Sequence, residues 1–158
     1  MLTIDLKNME NIFGKMKEAE LAIGSYYKAC SEKDSPENMD FWSALSGAES
    51  RHAGYLVKIL LLINKSPNHY IYGLDFDPVN ISELISQVRA STARVKSLKM
   101  AGKDLLLAAR DMEDRLLENK YFDSVKSEEK EFVDFLNTMK EETVQHREMI
   151  IKKLGTEK

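Results

Sequence analysis

The sequence predicts an all-α fold: an antiparallel four-helix bundle with one long crossover and an accessory helix. Three observations carry this expectation. The 158 residues include only three Pro and seven Gly, so helix breakers are rare. Apolar residues recur at spacings of three and four, the period of an amphipathic helix. The polar breaks between periodic segments are two short and one long, as in two helical hairpins joined by a crossover.

The first helix is expected from about Leu6 to Cys30, with Met9, Ile12, Phe13, Met16, Ile23, Tyr27 and Cys30 on its apolar face. It stops at the polar turn SEKDSP. Ser35 is placed to cap the second helix, with Pro36 at its first position. That helix runs to about Ile63 and turns Phe41, Leu45, Leu56, Ile59, Leu60 and Ile63 inward. The turn-rich, aromatic stretch NKSPNHYIYGLDFDPVN opens a crossover spanning about 64–102. Within it, Ile81 to about Ser97 forms the accessory helix, with Ile81, Leu84, Ile85, Val88 and Val95 sharing a face. Gly102 marks a break. The third helix follows from about Asp104 to Tyr121, with FDSVKS as the next turn. The last helix begins near Ser127 and ends near Leu154, just before Gly155 as its cap. Its stripe is Phe132, Phe135, Leu136, Met139, Ile150 and Leu154. No segment reads as a strand, and residues 1–158 read as a single domain.

Composition narrows the function classes. The 23 basic and 26 acidic residues are interspersed, the net charge is −3, and no basic patch points to nucleic acid. No apolar run is long enough to span a membrane. The N-terminal stretch is charged from Asp5 onward and lacks the apolar region of a signal peptide. One cysteine, Cys30, allows neither an internal disulfide nor a four-cysteine metal ribbon, and it suits a reducing, cytoplasmic setting.

Each helical stripe is interrupted by a carboxylate. Glu20 falls between Met16 and Ile23, and Glu49 between Leu45 and Leu56 with His52 next on the same face. Glu113 falls between Ala109 and Leu116, and Glu142 follows Met139 with His146 next. Residues three or four apart lie within about 60° of one another around a helix, so each Glu–His pair points one way. In the first hairpin Glu20 and Glu49 lie about 17 and 20 Å from the turn. In the second, Glu113 and Glu142 lie about 15 and 22 Å from theirs. Four glutamates and two histidines can therefore converge on one layer of the bundle. Buried together without counter-charge they would repel each other and cost several kcal/mol each. Two divalent cations would cancel the charge and accept the imidazole nitrogens. A carboxylate and imidazole set without thiolate suits iron or manganese, with zinc as the alternative.

This pattern resembles the ferritin-like carboxylate proteins and, among them, the rubrerythrin-like group. The resemblance rests on Glu20 followed by Tyr26 and Tyr27, Glu49-x-x-His52, Glu113, and Glu142-x-x-x-His146, and it covers roughly residues 6–154. It implies a di-iron site bridged by Glu49 and Glu142, with Glu20 and Glu113 terminal and one metal each for His52 and His146. It implies reduction of peroxide or dioxygen with electrons from an external donor protein. Tyr26, Tyr27 and Gln145 are the candidates to hydrogen-bond a ligand carboxylate. The sequence departs from the group in three ways. Leu116 stands one turn after the third-helix ligand where a carboxylate is usual, Gln145 precedes the last histidine where a glutamate is common, and the four-cysteine rubredoxin domain is missing.

Plainer readings compete. Glu and His pairs on helices arise by chance in an acidic chain. Glu18 competes with Glu20 but lies off the stripe, and Asp111 and Glu118 compete with Glu113. Met9, Met16, Met112, Met139 and Met149 read as core, Cys30 as an apolar filler, and His69 as a loop residue. The alternative to an oxidoreductase is a non-catalytic metal-binding, iron-handling or scaffold protein on the same fold. Related bundles often pair, and Trp42, Tyr70 and Tyr72 are candidates for a homodimer interface.

Overall fold

The computed structural model describes residues 3–73 and 77–156. Leu74, Asp75 and Phe76 of the expected crossover lie outside the described residues, as do Met1, Leu2, Glu157 and Lys158. The chain is all-α, with helices α1 (Thr3–Lys33), α2 (Met39–Lys65), α3 (Pro78–Lys96), α4 (Lys103–Glu118) and α5 (Lys130–Thr156). α1 packs along α2 and α3, α4 along α5, and α2 along α5. α2 and α5 run antiparallel: Tyr55 stacks on Phe135 at 5.2 Å between ring centres, and Lys153 lies over the Phe41 ring.

The apolar stripes read from sequence become one core. Met9, Ile12, Phe13, Met16, Ile23, Tyr27 and Cys30 of α1 are buried, as are Leu45, Leu56, Ile59 and Ile63 of α2. The inward face of the accessory helix, Ile81, Leu84, Ile85, Val88 and Val95, is buried too. Phe41, Leu60, Phe135 and Leu154 are only partly buried at its margin. Met149 is exposed, because it lies off the stripe that runs through Met139, Thr143, His146 and Ile150.

Several helix ends differ from expectation. Pro36 opens a one-turn 3-10 helix, Pro36–Asn38, and α2 starts at Met39; the Ser35 side chain makes no capping bond. Asp34 organises that turn instead. Its carboxylate accepts from the Ser35 amide, the Asn38 side chain and, at 2.7 Å, the Trp42 indole N–H. At the other end Gly155 lies inside the last turn of α5, without the left-handed backbone of a glycine cap. The third helix stops at Glu118, and Tyr121–Asp123 forms a separate 3-10 turn.

The expectation of no strands is also corrected. β1 (Tyr70–Tyr72) in the crossover pairs antiparallel with β2 (Val125–Ser127) in the α4–α5 connection. Three residues are too few to display a period of two, so neither strand is visible in the sequence. Gly73 donates to the Ser124 carbonyl at 2.8 Å, and a Cβ there would stand 3.1 Å from that same oxygen, so any larger residue would need the Ser124 backbone to give by a few tenths of an ångström. α5 consequently begins at Lys130 rather than Ser127, whose hydroxyl accepts from the Glu129 amide. His69 is exposed and pairs with Glu129 beside this ribbon, as a loop residue should.

Trp42 and Tyr70 are buried and hold the fold, and Tyr72 is partly buried against the core. Trp42 contacts the rings of Tyr26, Tyr27 and Phe41. Trp42→Ala is expected to cost about 3–5 kcal/mol through the cavity it leaves, with Asp34 losing a donor as well. A chemical denaturation curve checks it; a loss under about 1 kcal/mol would contradict the buried placement. Among the described residues, no helix is long and apolar enough to cross a membrane.

Candidate metal centre

The cluster forms where α1, α2, α4 and α5 face each other. α1 brings Glu20, α2 brings Glu49 and His52, α4 brings Glu113 and α5 brings His146; all five are buried. Close approach of α1 and α2 is part of the construction. A Cβ on Gly24 would lie 3.3 Å from the Glu49 Cβ, and the Ser46 hydroxyl donates to the Gly24 carbonyl.

Two triads share one residue. Glu20, Glu49 and His52 offer atoms within 4.8 Å of one another, and so do Glu49, Glu113 and His146. His52 Nδ1 lies 3.6 Å from Glu20 and 3.5 Å from Glu49. His146 Nδ1 lies 3.1 Å from Glu49 and 3.6 Å from Glu113. The two imidazoles stack at 5.7 Å between centres. These separations are mostly too long for hydrogen bonds. Two ligand atoms on one ion, about 2.1 Å from the metal and 90–110° apart, are about 3.0–3.4 Å from each other; the 3.1 Å pair falls in that range and the other three lie a few tenths of an ångström beyond it.

The orphaned atoms make the same point. Both oxygens of Glu20, both of Glu49, Glu113 Oε2, His52 Nδ1 and His146 Nδ1 are buried and form no hydrogen bond. Buried polar groups ordinarily find a partner, and a charged one left without costs several kcal/mol. Seven such atoms aimed at one volume fit a site for cations. Carboxylates and imidazoles without thiolate fit iron, manganese or zinc.

Without a cation the cluster must hold protons instead. Burial, then repulsion from Glu49, pushes Glu20 well above the usual carboxylate range. The same two causes raise Glu113 to about 7. Burial also acts to raise Glu49, but contacts with Glu20, His146 and His52 outweigh it and hold Glu49 below the ordinary range. Burial lowers both histidines, and their carboxylates more than reverse it. Glu20 and Glu49 lift His52 to about 11, and Glu113 and Glu49 lift His146 to about 9.

Competing carboxylates are sorted by the fold. Glu18 pairs with Lys15 and Arg89 at the surface, and Asp111 and Glu118 are exposed. Tyr27 donates to Glu113 Oε1 at 2.5 Å, while Tyr26 donates to the Leu105 carbonyl and touches no cluster carboxylate. Gln145 is exposed on α5. Leu116 is buried, an apolar wall one turn from Glu113. Glu142 does not join either triad. Thr143 occupies the buried stripe between Met139 and His146, and Glu142 stands at its flank, 26% exposed, with Oε2 2.7 Å from His52 Nε2. Thr143 was legible in principle, since it continues the Met139–His146–Ile150 spacing as well as Glu142 does.

Tyr27→Phe is expected to leave Glu113 Oε1 without its donor, costing about 1–3 kcal/mol in metal-free protein. Thermal melting with and without metal checks it. An unchanged metal-free melting temperature would show that this hydrogen bond carries no stability.

No protein-family model, curated protein or solved structure matches the chain.

Proposed function

We propose that this chain is a ferritin-like, rubrerythrin-type di-iron carboxylate protein that reduces peroxide or dioxygen with electrons from a partner protein. The observation that carries the reading is the set of seven buried, unpartnered oxygen and nitrogen atoms in two triads joined at Glu49. When bound, two iron ions would supply redox capacity and Lewis acidity toward an O–O bond. Glu49 belongs to both triads and is the bridging candidate. Glu20 and His52 complete one metal's set, and Glu113 and His146 the other's. Tyr27 steadies Glu113 through its hydroxyl, and its own pKa is raised by burial and by Glu113, so it stays protonated and keeps donating that hydrogen bond. The surrounding core, Met16, Ile23, Leu45, Met112 and Met139 included, excludes bulk water. Glu142 and Arg51, both partly exposed, mark the side of the cluster nearest solvent.

A second reading has a specific observation behind it. Leu116 in the wall and Glu142 outside the triads leave three carboxylates to hold the metals. A site so provided has fewer ligands to shift between binding modes, which favours metal storage or a structural role over turnover.

Protein purified without chelator or affinity metal separates the two. About two irons per chain, with a fast oxo-to-iron charge-transfer band after anaerobic Fe(II) loading and peroxide, is the expected result. Bound metal that peroxide leaves spectrally unchanged would replace the oxidoreductase reading with the storage one. Absence of any metal binding would remove both.

A further inference from the structure

We propose that Glu142 is a positioning residue for His52 and not a metal ligand, an inference that rests on the metal-centre reading above. The two ring nitrogens of His52 have different surroundings. Nδ1 faces Glu20 and Glu49 inside the cluster at 3.6 and 3.5 Å. Nε2 faces the other way, onto Glu142 Oε2 at 2.7 Å. That contact is a hydrogen bond by distance, whereas Nδ1 is buried without a hydrogen-bond partner and has both carboxylates close enough to share an ion with it after a small adjustment.

An imidazole can give a metal only a nitrogen that carries no proton. A carboxylate on Nε2 keeps the proton there and leaves the Nδ1 lone pair for the ion. It also fixes the rotation of the ring about its long axis. Glu142 is the group that does this for His52. Arg51, largely exposed, lies 4.0 Å from the same oxygen, on the solvent side of the layer. Side-chain exposure agrees: Glu142 is 26% exposed, against 1% or less for Glu20, Glu49 and Glu113.

The helix geometry explains why Glu142 cannot do both jobs. On α5 the inward stripe runs Met139, Thr143, His146, Ile150, and Glu142 is about 100° behind Thr143. The position equivalent to Glu49 in the spacing Glu49-x-x-His52 is thus Thr143-x-x-His146. The Thr143 hydroxyl donates to the Met139 carbonyl and is already satisfied. α5 therefore contributes one inner donor, His146, and the two halves of the site are unequal. One imidazole is pinned by a carboxylate from a neighbouring helix. For the other, among the described residues, no such partner is found.

The test is zinc binding by the full chain, with Zn(II) as the probe. A chromophoric chelator gives affinity and stoichiometry, and 15N-resolved proton spectra of the zinc-loaded protein report the His52 ring N–H. Wild type and E142Q are expected to bind the same number of zinc ions with affinities within about threefold, because the Gln carbonyl still accepts from Nε2–H. E142A is expected to bind the same number about 10–100-fold more weakly. Its His52 Nε2–H signal should broaden by exchange, while E142Q retains it. Loss of one zinc, or an equal drop in affinity, in both variants would overturn the proposal and make Glu142 a ligand. E142A indistinguishable from wild type would overturn it too. Wild type binding no zinc, iron or manganese would instead sink the metal centre itself, and this inference with it.

Discussion

Glu49→Ala is expected to abolish binding of both metals, whereas Glu20→Ala and Glu113→Ala should each leave one. The difference follows from topology. Glu49 belongs to both triads, while Glu20 belongs only to the His52 side and Glu113 only to the His146 side. Titration with Fe(II) or Zn(II) under exclusion of oxygen reads the stoichiometry directly. Metal bound at a hundred times its dissociation constant stabilises the fold by about 2.7 kcal/mol, so the rise in melting temperature should vanish in Glu49→Ala as well. The metal-free variant should also be weaker than metal-free wild type. Ionised Glu49 faces both raised imidazoles, and removing one partner of a buried charge pair costs about 3–5 kcal/mol. Retained helix content by circular dichroism separates loss of the site from loss of the fold. Two metals still bound by Glu49→Ala would mean the ions sit elsewhere.

The helices were legible because their burial is one-sided. A stripe such as Met9, Ile12, Phe13, Met16 leaves a trace in the order of residues that no other structure explains as well. The inner glutamates were legible for the same reason, as charges placed where that stripe demands an apolar residue. Glu142 was not separable from Thr143 by spacing alone. On α5 both Glu142 and Thr143 fit a three-or-four spacing, and chemistry favoured the carboxylate. Packing chose the threonine because the stripe through Phe132, Leu136 and Met139 had already fixed the rotation of the helix. The β1–β2 pair was invisible for another reason. It joins Tyr70–Tyr72 to Val125–Ser127, over fifty residues apart, by main-chain bonds that carry little sequence signal in so short a ladder. Asp34 belongs with it: its role depends on three donors that meet only once the α1–α2 turn has formed.

Metal affinity should climb steeply with pH, and should keep climbing well above the range of an ordinary histidine site. Metal takes a neutral imidazole, so it must displace whatever proton the metal-free cluster holds. His52 and His146, lifted to about 11 and about 9, both hold a proton at pH 7 to 8. Each displaced proton raises apparent affinity about tenfold per pH unit, and the raised carboxylates Glu20 and Glu113 add to the two histidines, so loading both sites should strengthen by at least about a hundredfold per unit across that window. An unperturbed histidine pair would level off above about pH 6.5. Metal-free stability runs the other way. A pKa raised in the folded state contributes stability that is fully present below the unfolded value and is lost as pH rises through the folded one. For the histidines that loss begins above about pH 6.5 and continues through about 9 and 11. For Glu113 it begins near the ordinary carboxylate value and is complete beyond about 7. The gap between metal-loaded and metal-free melting temperatures should therefore widen continuously from pH 6 to pH 9. Melting curves at fixed free Zn(II) across that range measure it. A gap that is flat above pH 7 would mean the imidazoles are already neutral in the empty cluster, and that the carboxylates there share their protons among themselves.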